Sequence, residues 1–390
     1  MGDIQQEIRQ REWMQGTARS ITFILTEDCQ LRCKYCYITG KNSFKRMTYE
    51  TAVKCVDMLL DTDELIFGYS GVIWEFIGGE PFMETELMDR ICDYIKLRMF
   101  EKNHPWFNSY RISISTNGLL YGSPEAQEFI RKNRDHLSIG ISVDGNREKH
   151  DSQRVFPNGA GSYDEVLKNV PLWLEQNPGA NTKATIAHDD LPYVKDSVLH
   201  LWNIGIKFVN MNVIFEDCWQ EGDDLVFEEQ LTALADEILK NEYYRDCFCS
   251  LFDRNLTLPP MTDNDSNWCG AGKMIAISCD GSFYPCIRFV DYSLNHRKGL
   301  KTGDCYTGIN KNLLRPFDTL RRSLQSNEEC MTCDVSNGCA WCQGANYDFA
   351  DTDTIYQRAV FICKMHKARV RANKYFWEKL DEITANDGRT

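Results

Sequence analysis

The chain has 390 residues, of which 43% are apolar and 12% aromatic, enough for two domains or for one barrel with an appendage. Its net charge of −13 argues against nucleic acid or an anionic membrane as the main partner. No apolar run approaches the roughly 20 residues of a membrane span, and the polar N-terminus carries no signal-peptide core. The composition therefore predicts a cytoplasmic protein that binds neither nucleic acid nor membrane.

The chain contains 17 cysteines. In a large cytosolic protein they indicate metal binding rather than a disulfide framework. Three lie in one short segment, Cys29 to Cys36, and nine of the others fall between Cys269 and Cys363. We therefore expect two separate metal-binding regions.

From about residue 20, strand-like segments alternate with amphipathic helices. Strands are predicted over 21–26, 72–77, 110–115, 137–143, 183–187 and 207–213. Helices are predicted from a cap at Thr48, around 87–95, through 166–173 and over 227–240. Six successive βα units predict an α/β fold with a parallel sheet, and six units rather than eight predict a partial (β/α)6 TIM-like barrel.

After about residue 250 the sequence becomes rich in loops and cysteines, which predicts a C-terminal Cys-rich domain held together by metal. The predicted parts are an N-terminal extension 1–20, the barrel 21–240, a bridging segment 241–268, the Cys-rich domain 269–363, and a C-terminal helix and tail 364–390. The first 20 residues are too few for a module that would recognise a peptide leader.

Cys29, Cys33 and Cys36 follow the first predicted strand with the spacing C-x3-C-x2-C. Three thiolates on one loop can hold three corners of a cubic iron–sulfur cluster and leave the fourth iron open for a ligand. A structural zinc knuckle and an electron-transfer cluster remain alternatives at this point. Both usually need a fourth nearby ligand, and the next cysteine, Cys55, lies in a helical pattern.

Polar clusters follow the next three predicted strands, and barrels keep their active sites at these strand ends. After the second strand, two glycines permit a close backbone approach and Glu80 offers a carboxylate that could accept bonds from an ammonium group. The candidate residues of the three clusters are Gly78, Gly79, Glu80, Ser115, Asn117, Ser142 and Arg154. We expect them on one face, opposite the cysteine loop.

The cysteine spacing, the aromatic Tyr35 before the last cysteine, and Gly78-Gly79-Glu80 together resemble the radical S-adenosylmethionine (SAM) superfamily over about residues 20–240. The resemblance implies that Cys29, Cys33 and Cys36 hold a catalytic [4Fe–4S] cluster whose open iron is chelated by SAM. Glu80 would bind the SAM ammonium, Ser142 and Arg154 its carboxylate or ribose, and Tyr35 would lie near the adenine. Ser115 and Asn117 would lie close to SAM or the substrate. A reducing partner such as flavodoxin or ferredoxin would drive cleavage of SAM to a 5′-deoxyadenosyl radical.

The later cysteines resemble the SPASM extension of these enzymes, which carries two auxiliary [4Fe–4S] clusters. By that resemblance Cys269, Cys286 and Cys342 bind the first auxiliary cluster, and Cys330, Cys333, Cys339 and Cys363 bind the second. This chain has two residues between Cys339 and Cys342 where the usual pattern has three. Taken alone, a Cys-x2-Cys pair would also suit zinc.

A fourth ligand for the first auxiliary cluster is not evident from the sequence. Asp280-Gly281 predicts a hairpin turn that pairs Cys279 with Ser282 and Cys286 with Ile275. Cys279 and Cys286 would then lie about 13 Å apart along the strands, too far to share a cluster. We therefore expect an open iron, or a ligand from elsewhere such as Cys305.

Proteins with this extension mostly modify peptides, and the segment 286–295 resembles maturases of Cys-repeat peptides. That resemblance implies thioether formation in a ribosomally made precursor peptide. A separate leader-recognition protein, or direct binding of the leader, is a further hypothesis.

Three alternatives to thioether formation remain: an anaerobic sulfatase-maturing enzyme that forms formylglycine, a carbon–carbon cross-linking or epimerising maturase, and a non-enzymatic electron-transfer protein. Sulfatase-maturing enzymes have an Asp directly after the equivalent of Cys286, where this chain has Ile287. This difference counts against the first alternative.

Overall fold

The computed structural model describes residues 18–38, 43–258, 265, 269–336, 338–339 and 342–386. The strands are β1 Ala18–Ile24, β2 Gly71–Ile77, β3 Tyr110–Thr116, β4 Leu137–Ile141, β5 Asn181–Ile186, β6 Phe208–Val213, β7 Phe248–Cys249, β8 Ile275–Ile277, β9 Ser282–Tyr284, β10 Gly303–Asp304 and β11 Gly308–Ile309. The α-helices are α1 Tyr49–Leu60, α2 Asp63–Ile66, α3 Thr85–Glu101, α4 Pro124–Asn133, α5 Arg147–Gln153, α6 Tyr163–Leu167, α7 Val170–Gln176, α8 Val194–Asn203, α9 Asp223–Lys240, α10 Lys311–Thr319, α11 Arg322–Gln325, α12 Glu328–Met331, α13 Gln343–Phe349 and α14 Cys363–Asn386. Short 3-10 helices span Pro81–Glu84, Pro105–Asn108, Arg134–His136, His188–Tyr193, Tyr243–Arg245, Arg254–Thr257, Ile287–Phe289 and Asp291–Ser293.

The six predicted strands correspond to β1–β6, and most of the predicted helices are present. Helix α1 begins after Thr48, whose hydroxyl accepts a hydrogen bond from the Thr51 amide at 3.1 Å. The prediction of one helix through 166–173 is wrong, because the segment forms two short helices, α6 and α7. Pro171 lies in the first turn of α7, where its missing N–H breaks no helical hydrogen bond. In the interior of a longer helix the same residue would break one, so α6 ends before it.

The larger sheet has the order β11-β10-β9-β8-β1-β2-β3-β4, with β1 near its centre. Strand β1 pairs in parallel with β2 on one side and with β8 on the other. Its inward residue Phe23 is fully buried and stacks on Phe76 of β2, with ring centroids 5.7 Å apart. This parallel, doubly flanked strand leads directly into the cysteine loop.

The hairpin of β8 and β9 differs from its predicted register by one residue. Ala276 pairs with Tyr284 and Ile277 with Phe283, so the loop contains three residues, 279–281, rather than two. Gly281 closes it with a φ of +82°, as three-residue hairpin loops require. The predicted turn is therefore present, and only the pairing is shifted.

The chain divides into two compact units, which are described separately. Unit 1 comprises residues 1–30, 37–139 and 270–319, and unit 2 comprises 31–36, 140–269 and 320–390. In unit 2, β5, β6 and β7 form a parallel sheet, and α9 packs against α14. The packing is reinforced by an Arg371–Glu228 hydrogen bond of 2.8 Å and a Tyr375–Asp236 hydrogen bond of 2.6 Å. The domain boundaries given above remain a prediction.

Within unit 2, the end of β4 is linked to β5 through a side chain. The buried Thr182 hydroxyl donates to the Ile141 carbonyl at 2.7 Å, and its oxygen accepts from the Val143 amide at 2.9 Å. The hydroxyl thus fixes the backbone just before Asp144. In the described part of the chain, no helix is both long enough and apolar enough to cross a bilayer.

Candidate functional site

The two glycines after β2 let the start of the cysteine loop pack directly against the backbone of residues 78–80. The amides of Gly79 and Glu80 donate to the carbonyls of Thr26 and Asp28 at 2.8 and 2.9 Å. A Cβ on Gly78 would stand 2.3 Å from the Thr26 oxygen, and one on Gly79 would stand 1.7 Å from the Asp28 oxygen. The sequence predicted a close approach to a ligand, whereas the close approach observed here is to the loop that carries Cys29.

Glu80 is fully buried, and donors from two segments fix its carboxylate. One oxygen accepts from the Thr116 hydroxyl at 2.7 Å and the Phe82 amide at 3.1 Å, and the other accepts from the Asn117 amide at 2.7 Å. Bonds from three donors to its two oxygens fix the orientation of the carboxylate group. Glu80 is thus held in one orientation at the end of β3.

Asn117 connects the third strand end to the cysteine loop. Its amide nitrogen donates to the Gln30 side chain at 3.0 Å and lies 3.7 Å from the Cys29 sulfur. Ser115, one residue before Thr116, is half-buried in β3. In unit 1 the predicted residues Cys29, Gly78, Gly79, Glu80 and Asn117 are therefore brought together. Thr116, which the sequence analysis did not select, completes them.

In unit 2 the Tyr35 hydroxyl lies between two buried charged groups. It donates to Asp144 at 2.5 Å and accepts from Arg154 at 2.8 Å. Burial opposes ionisation of Asp144, but the charges of Lys149 and Arg154 outweigh it and lower the pKa of this carboxyl. Burial raises the pKa of Tyr35, which therefore remains a neutral donor. The Tyr35 hydroxyl thus bridges the carboxylate of Asp144 and the guanidinium of Arg154.

A series of hydrogen bonds through His150 and Ser162 connects the backbone of Asp144 to that of Arg154. The Asp144 amide donates to His150 Nδ1 at 3.3 Å, His150 Nε2 contacts the Ser162 hydroxyl at 3.0 Å, and that hydroxyl donates to the Arg154 carbonyl at 2.7 Å. Burial, followed by the charge of Arg154, lowers the pKa of His150 to about 3. The imidazole is therefore neutral and carries its proton on Nε2.

Arg154 retains one buried donor for a further group. Its Nε is buried and has no hydrogen-bond partner in the described part of the chain. Burial alone would lower the pKa of Arg154, but Tyr35, Cys33 and Asp144 outweigh it and raise it well above the usual value. A buried, permanently charged donor suits an anionic group such as the carboxylate of an amino acid. Ser142, between β4 and Asp144, is half-buried.

The cysteine loop is also bonded to this second set. The amides of Arg32 and Lys34 donate to the carbonyls of Val155 and Gln153 at 2.7 and 2.9 Å. Cys33 and Cys36, both half-buried, are joined by a backbone bond of 3.1 Å. Because Cys29 belongs to unit 1, the assembly of all three thiols around one cluster remains a prediction. Asp144 and His150, which the sequence analysis did not select, complete the set in unit 2; Asp144 was signalled only by the turn Ser142-Val143-Asp144-Gly145.

Four of the later cysteines line one cavity of unit 2. The cavity has a volume of about 480 Å³, and Cys330, Cys333, Cys339 and Cys363 all face it. Arg358 Nη2 lies 2.8 Å from the Cys339 sulfur and donates to it. Four thiols around such a space fit the donor set of a [4Fe–4S] cluster. Among the described residues, no three His, Cys, Asp or Glu side chains are arranged to bind a single metal ion.

The three cysteines predicted for the first auxiliary cluster are divided between the two units. Cys286 follows β9 in unit 1, whereas Cys269 and Cys342 belong to unit 2, with Cys342 preceding α13. Their assembly into one site remains a prediction.

Cys279 and Cys305 occupy other positions. Cys279 is buried, and its thiol donates to the Ile24 carbonyl at 3.3 Å. Cys305 lies against Cys55, whose thiol is hydrogen-bonded to it, and its amide donates to Gly281 at the turn of the hairpin. Cys286 lies beyond the other end of β9, about 16 Å of extended chain from Gly281. This position disfavours Cys305 as a ligand shared with Cys286.

Comparison with known proteins identifies the region that contains Cys29, Cys33 and Cys36. Residues 23–186 match the model of the radical SAM superfamily. This segment is therefore similar to a radical SAM domain. The similarity implies SAM and one [4Fe–4S] cluster as cofactors, in agreement with the prediction from the cysteine loop.

Three curated proteins are similar to this chain in sequence. The chain is 30% identical over 191 residues to the uncharacterized protein MJ0907 of Methanocaldococcus jannaschii, covering 49% of this chain and 60% of that one. It is 26% identical to the antilisterial bacteriocin subtilosin biosynthesis protein AlbA of Bacillus subtilis, covering 82% and 66%. It is 25% identical to the serine-type anaerobic sulfatase-maturating enzyme of Bacteroides thetaiotaomicron, covering 69% of each. The matches thus span less than two thirds of the first two relatives.

Among solved structures, native anSMEcpe with bound AdoMet superposes with a TM-score of 0.68 at 19% identity, covering 94% of this chain and 99% of that one. The likeness shows the fold. The prediction of an α/β fold with a partial TIM-like barrel is therefore confirmed.

Proposed function

We propose that this protein is a radical SAM maturase that forms thioether cross-links in a ribosomally made, Cys-rich precursor peptide. The observation that carries the proposal is the pairing of a radical SAM domain with a second set of four cysteines around one cavity of about 480 Å³. Its similarity to a bacteriocin biosynthesis protein supports a peptide substrate.

The residues of this chain would bind and orient the reactants. Cys29, Cys33 and Cys36 would hold the catalytic cluster, which together with SAM supplies a 5′-deoxyadenosyl radical. Glu80, oriented by Thr116 and Asn117, would accept the SAM ammonium, with Gly78 and Gly79 seating the loop. Arg154, through its unpartnered Nε, would bind the SAM carboxylate, assisted by Ser142. Tyr35 would lie near the adenine, and Ser115 near SAM or the substrate.

The bond that forms joins a peptide carbon to a cysteine sulfur of the same peptide. The carbon loses a hydrogen atom, the sulfur loses a proton to solvent, and one electron remains to be accepted. Cys330, Cys333, Cys339 and Cys363 would hold one auxiliary cluster, and Cys269, Cys286 and Cys342 would hold another. Either cluster in its oxidised form would supply an acceptor for that electron. A flavodoxin or ferredoxin and a separate leader-recognition protein are the further proposed partners.

The test is anaerobic reconstitution with iron, sulfide, reductant and SAM, together with the Cys-rich peptide encoded beside the gene. We expect 5′-deoxyadenosine and a product that has lost two hydrogen atoms per cross-link, with the bonded cysteine no longer alkylated. If no 5′-deoxyadenosine forms above background, the enzyme proposal fails and the electron-transfer alternative takes its place.

A sulfatase-maturing activity is the second candidate, supported by the similarity to a serine-type maturating enzyme. Such an activity would convert a Cys or Ser side chain to formylglycine. Mass spectrometry separates the two, because formylglycine reacts as an aldehyde and leaves the other cysteines free. Ile287, which has no ionisable group to serve as a base, favours the thioether proposal. A carbon–carbon cross-link would also lose two hydrogens but leave every thiol alkylatable, and epimerisation would leave the mass unchanged.

A further inference from the structure

A second cavity lies wholly within unit 1, beside the start of the cysteine loop. Its volume is about 410 Å³, and its wall includes Glu27, Lys45, Asp280, Tyr284, Asp291 and Tyr292. Three of these side chains are carboxylates and one is an ammonium. The wall therefore carries an excess of negative charge, and none of the residues assigned above to SAM or to a cluster lines it.

Among the described carboxylates of this wall, Glu27 is the one without a bonded partner. It is only 9% exposed, and its amide is fixed by a 3.0 Å bond to the Lys45 carbonyl. Its carboxylate makes no hydrogen bond or ion pair with any described residue, including Lys45, whose side chain is exposed. A carboxylate on a side chain that is largely buried is stabilised when a positively charged partner reaches it.

The groups around Glu27 do not neutralise it. Burial raises the pKa of the Cys279 thiol to about 12, and the charge of Glu27 adds to this effect, so the thiol remains neutral. Burial, with the charge of Glu27 again adding, also raises the pKa of Tyr292. Asp280 is satisfied by the Ser278 hydroxyl and by the Ser282 amide at 3.0 Å, and Asp291 by the Gly299 amide at 2.7 Å. All these donors are uncharged, so the described wall of the cavity contains no counter-ion for its carboxylates other than the exposed Lys45.

We infer that this cavity binds a cationic side chain, the ammonium of Lys or the guanidinium of Arg, of the substrate peptide. A cation entering the cavity would pair with Glu27, whose side chain is only 9% exposed and makes no bond to another described side chain. The rings of Tyr284 and Tyr292 provide apolar wall and faces on which a cation can rest. The inference rests on the proposed function, since it assigns a recognition site to the peptide of that reaction.

The experiment measures which short peptides the reconstituted protein retains. A random peptide pool with one fixed cysteine is equilibrated anaerobically with the protein and SAM, and the retained peptides are sequenced by mass spectrometry. We expect Lys and Arg to be enriched about tenfold over Gln at one position relative to the cysteine. The E27Q variant should abolish that enrichment, and E27D should keep part of it.

The matched control is E86Q, which removes the same charge from an exposed glutamate in the first turn of α3. It should retain the enrichment in full, and melting temperature and iron content show whether each variant is folded. Equal retention of Lys and Gln peptides, no retention of any peptide, or unchanged enrichment in E27Q would each overturn the inference. Cross-linking without a cationic preference refutes the inference alone, whereas the preference without any modified product refutes the proposed function alone.

Discussion

Tyr35 connects the cysteine loop to two buried charged side chains, those of Asp144 and Arg154. Its hydroxyl donates to Asp144 and accepts from Arg154, so it uses both of its hydrogen-bonding capacities. The sequence motif places an aromatic residue here, which a stacking role alone would satisfy with Phe. The observed contacts give a reason for the hydroxyl.

We expect Y35F to lower the free energy of unfolding by about 1–3 kcal/mol, because it leaves two buried charged groups each short of one bond. It should also weaken SAM binding, since Arg154 loses its orienting contact. Thermal melting and equilibrium dialysis of SAM check the two effects. The control is Y94F, which removes a hydroxyl bonded to Asp57 at 2.8 Å in a half-buried position and should leave SAM binding unchanged. Equal effects of the two variants on SAM binding would contradict this role.

His150 makes stability depend on pH in a defined direction. Its pKa of about 3 in the folded chain lies below the usual value near 6.5, so between these limits the unfolded state binds the extra proton. Stability contributed by the neutral imidazole is therefore present above pH 6.5 and is lost as the pH falls, by roughly 1.4 kcal/mol per pH unit.

The H150Q variant should show a shallower loss of stability between pH 6.5 and pH 4 in urea titrations. H136Q, which removes an exposed imidazole outside this network, is the control. An H150Q profile parallel to that of the unmodified protein would show that the imidazole does not become charged on unfolding.

Arg358 lies where it could tune the auxiliary cluster proposed for the cavity of Cys330, Cys333, Cys339 and Cys363. A cation that donates to a ligand sulfur stabilises the more negative, reduced state, so it raises the reduction potential. R358Q should therefore lower the potential of one cluster, measured by redox titration followed by EPR. K364Q removes another cation that lines the same cavity and makes no hydrogen bond to a described cysteine, so it should shift the potential less. A larger shift in K364Q would mean that general charge, not the hydrogen bond, sets the potential.

At the scale of elements, the loop after β1 depends on the backbone after β2. A Cβ on Gly79 would overlap the Asp28 carbonyl, which also accepts the Glu80 amide. We expect G79A to displace the loop and to lower the iron content by about four atoms per chain, the content of one cluster. G179A, at a position where a Cβ meets open space, should leave the iron content unchanged. A fully loaded G79A protein would show that the loop tolerates the displacement.

The sequence was most informative where one segment carries its own periodicity. Strands β1–β6 and the long helices α1, α3, α9 and α14 have alternating or 3.6-residue patterns, and these elements were predicted. Strands β8–β11 have only two or three residues each, too short for any pattern. Nothing local in Ile275–Ile277 indicates that it pairs with β1, because the partner lies far away in the chain.

The same contrast applies to the candidate site. Glu80 and the cysteines could be selected because each belongs to a short motif with a chemical purpose. Thr116 and His150 could not, and Asp144 was signalled only by its turn, because their roles depend on partners from other segments, such as the contact of His150 with Ser162. Sequence therefore predicted the residues proposed to touch cofactors better than the residues that orient them.

At the scale of the whole molecule, cluster content distinguishes the competing assignments. Three [4Fe–4S] clusters predict about 12 irons per reconstituted chain, whereas zinc in the second region predicts about four irons plus zinc. C333A should remove about four irons if its cavity holds a cluster. C247S, at a half-buried cysteine outside both groups, should remove none. Iron and zinc analysis by inductively coupled plasma spectrometry checks the metal content expected for the unmodified protein, for C333A and for C247S.

The position of β1 between β2 and β8 has a consequence for the order of folding. Arg19 in β1 bonds to the carbonyl of Lys273, 254 residues further along the chain. During synthesis β1 can pair with β2 early, but its other edge stays unpaired until Ile275 has left the ribosome. The segment that leads into Cys29 is therefore completed late, and delivery of iron to that loop is best timed after the hairpin has joined the sheet.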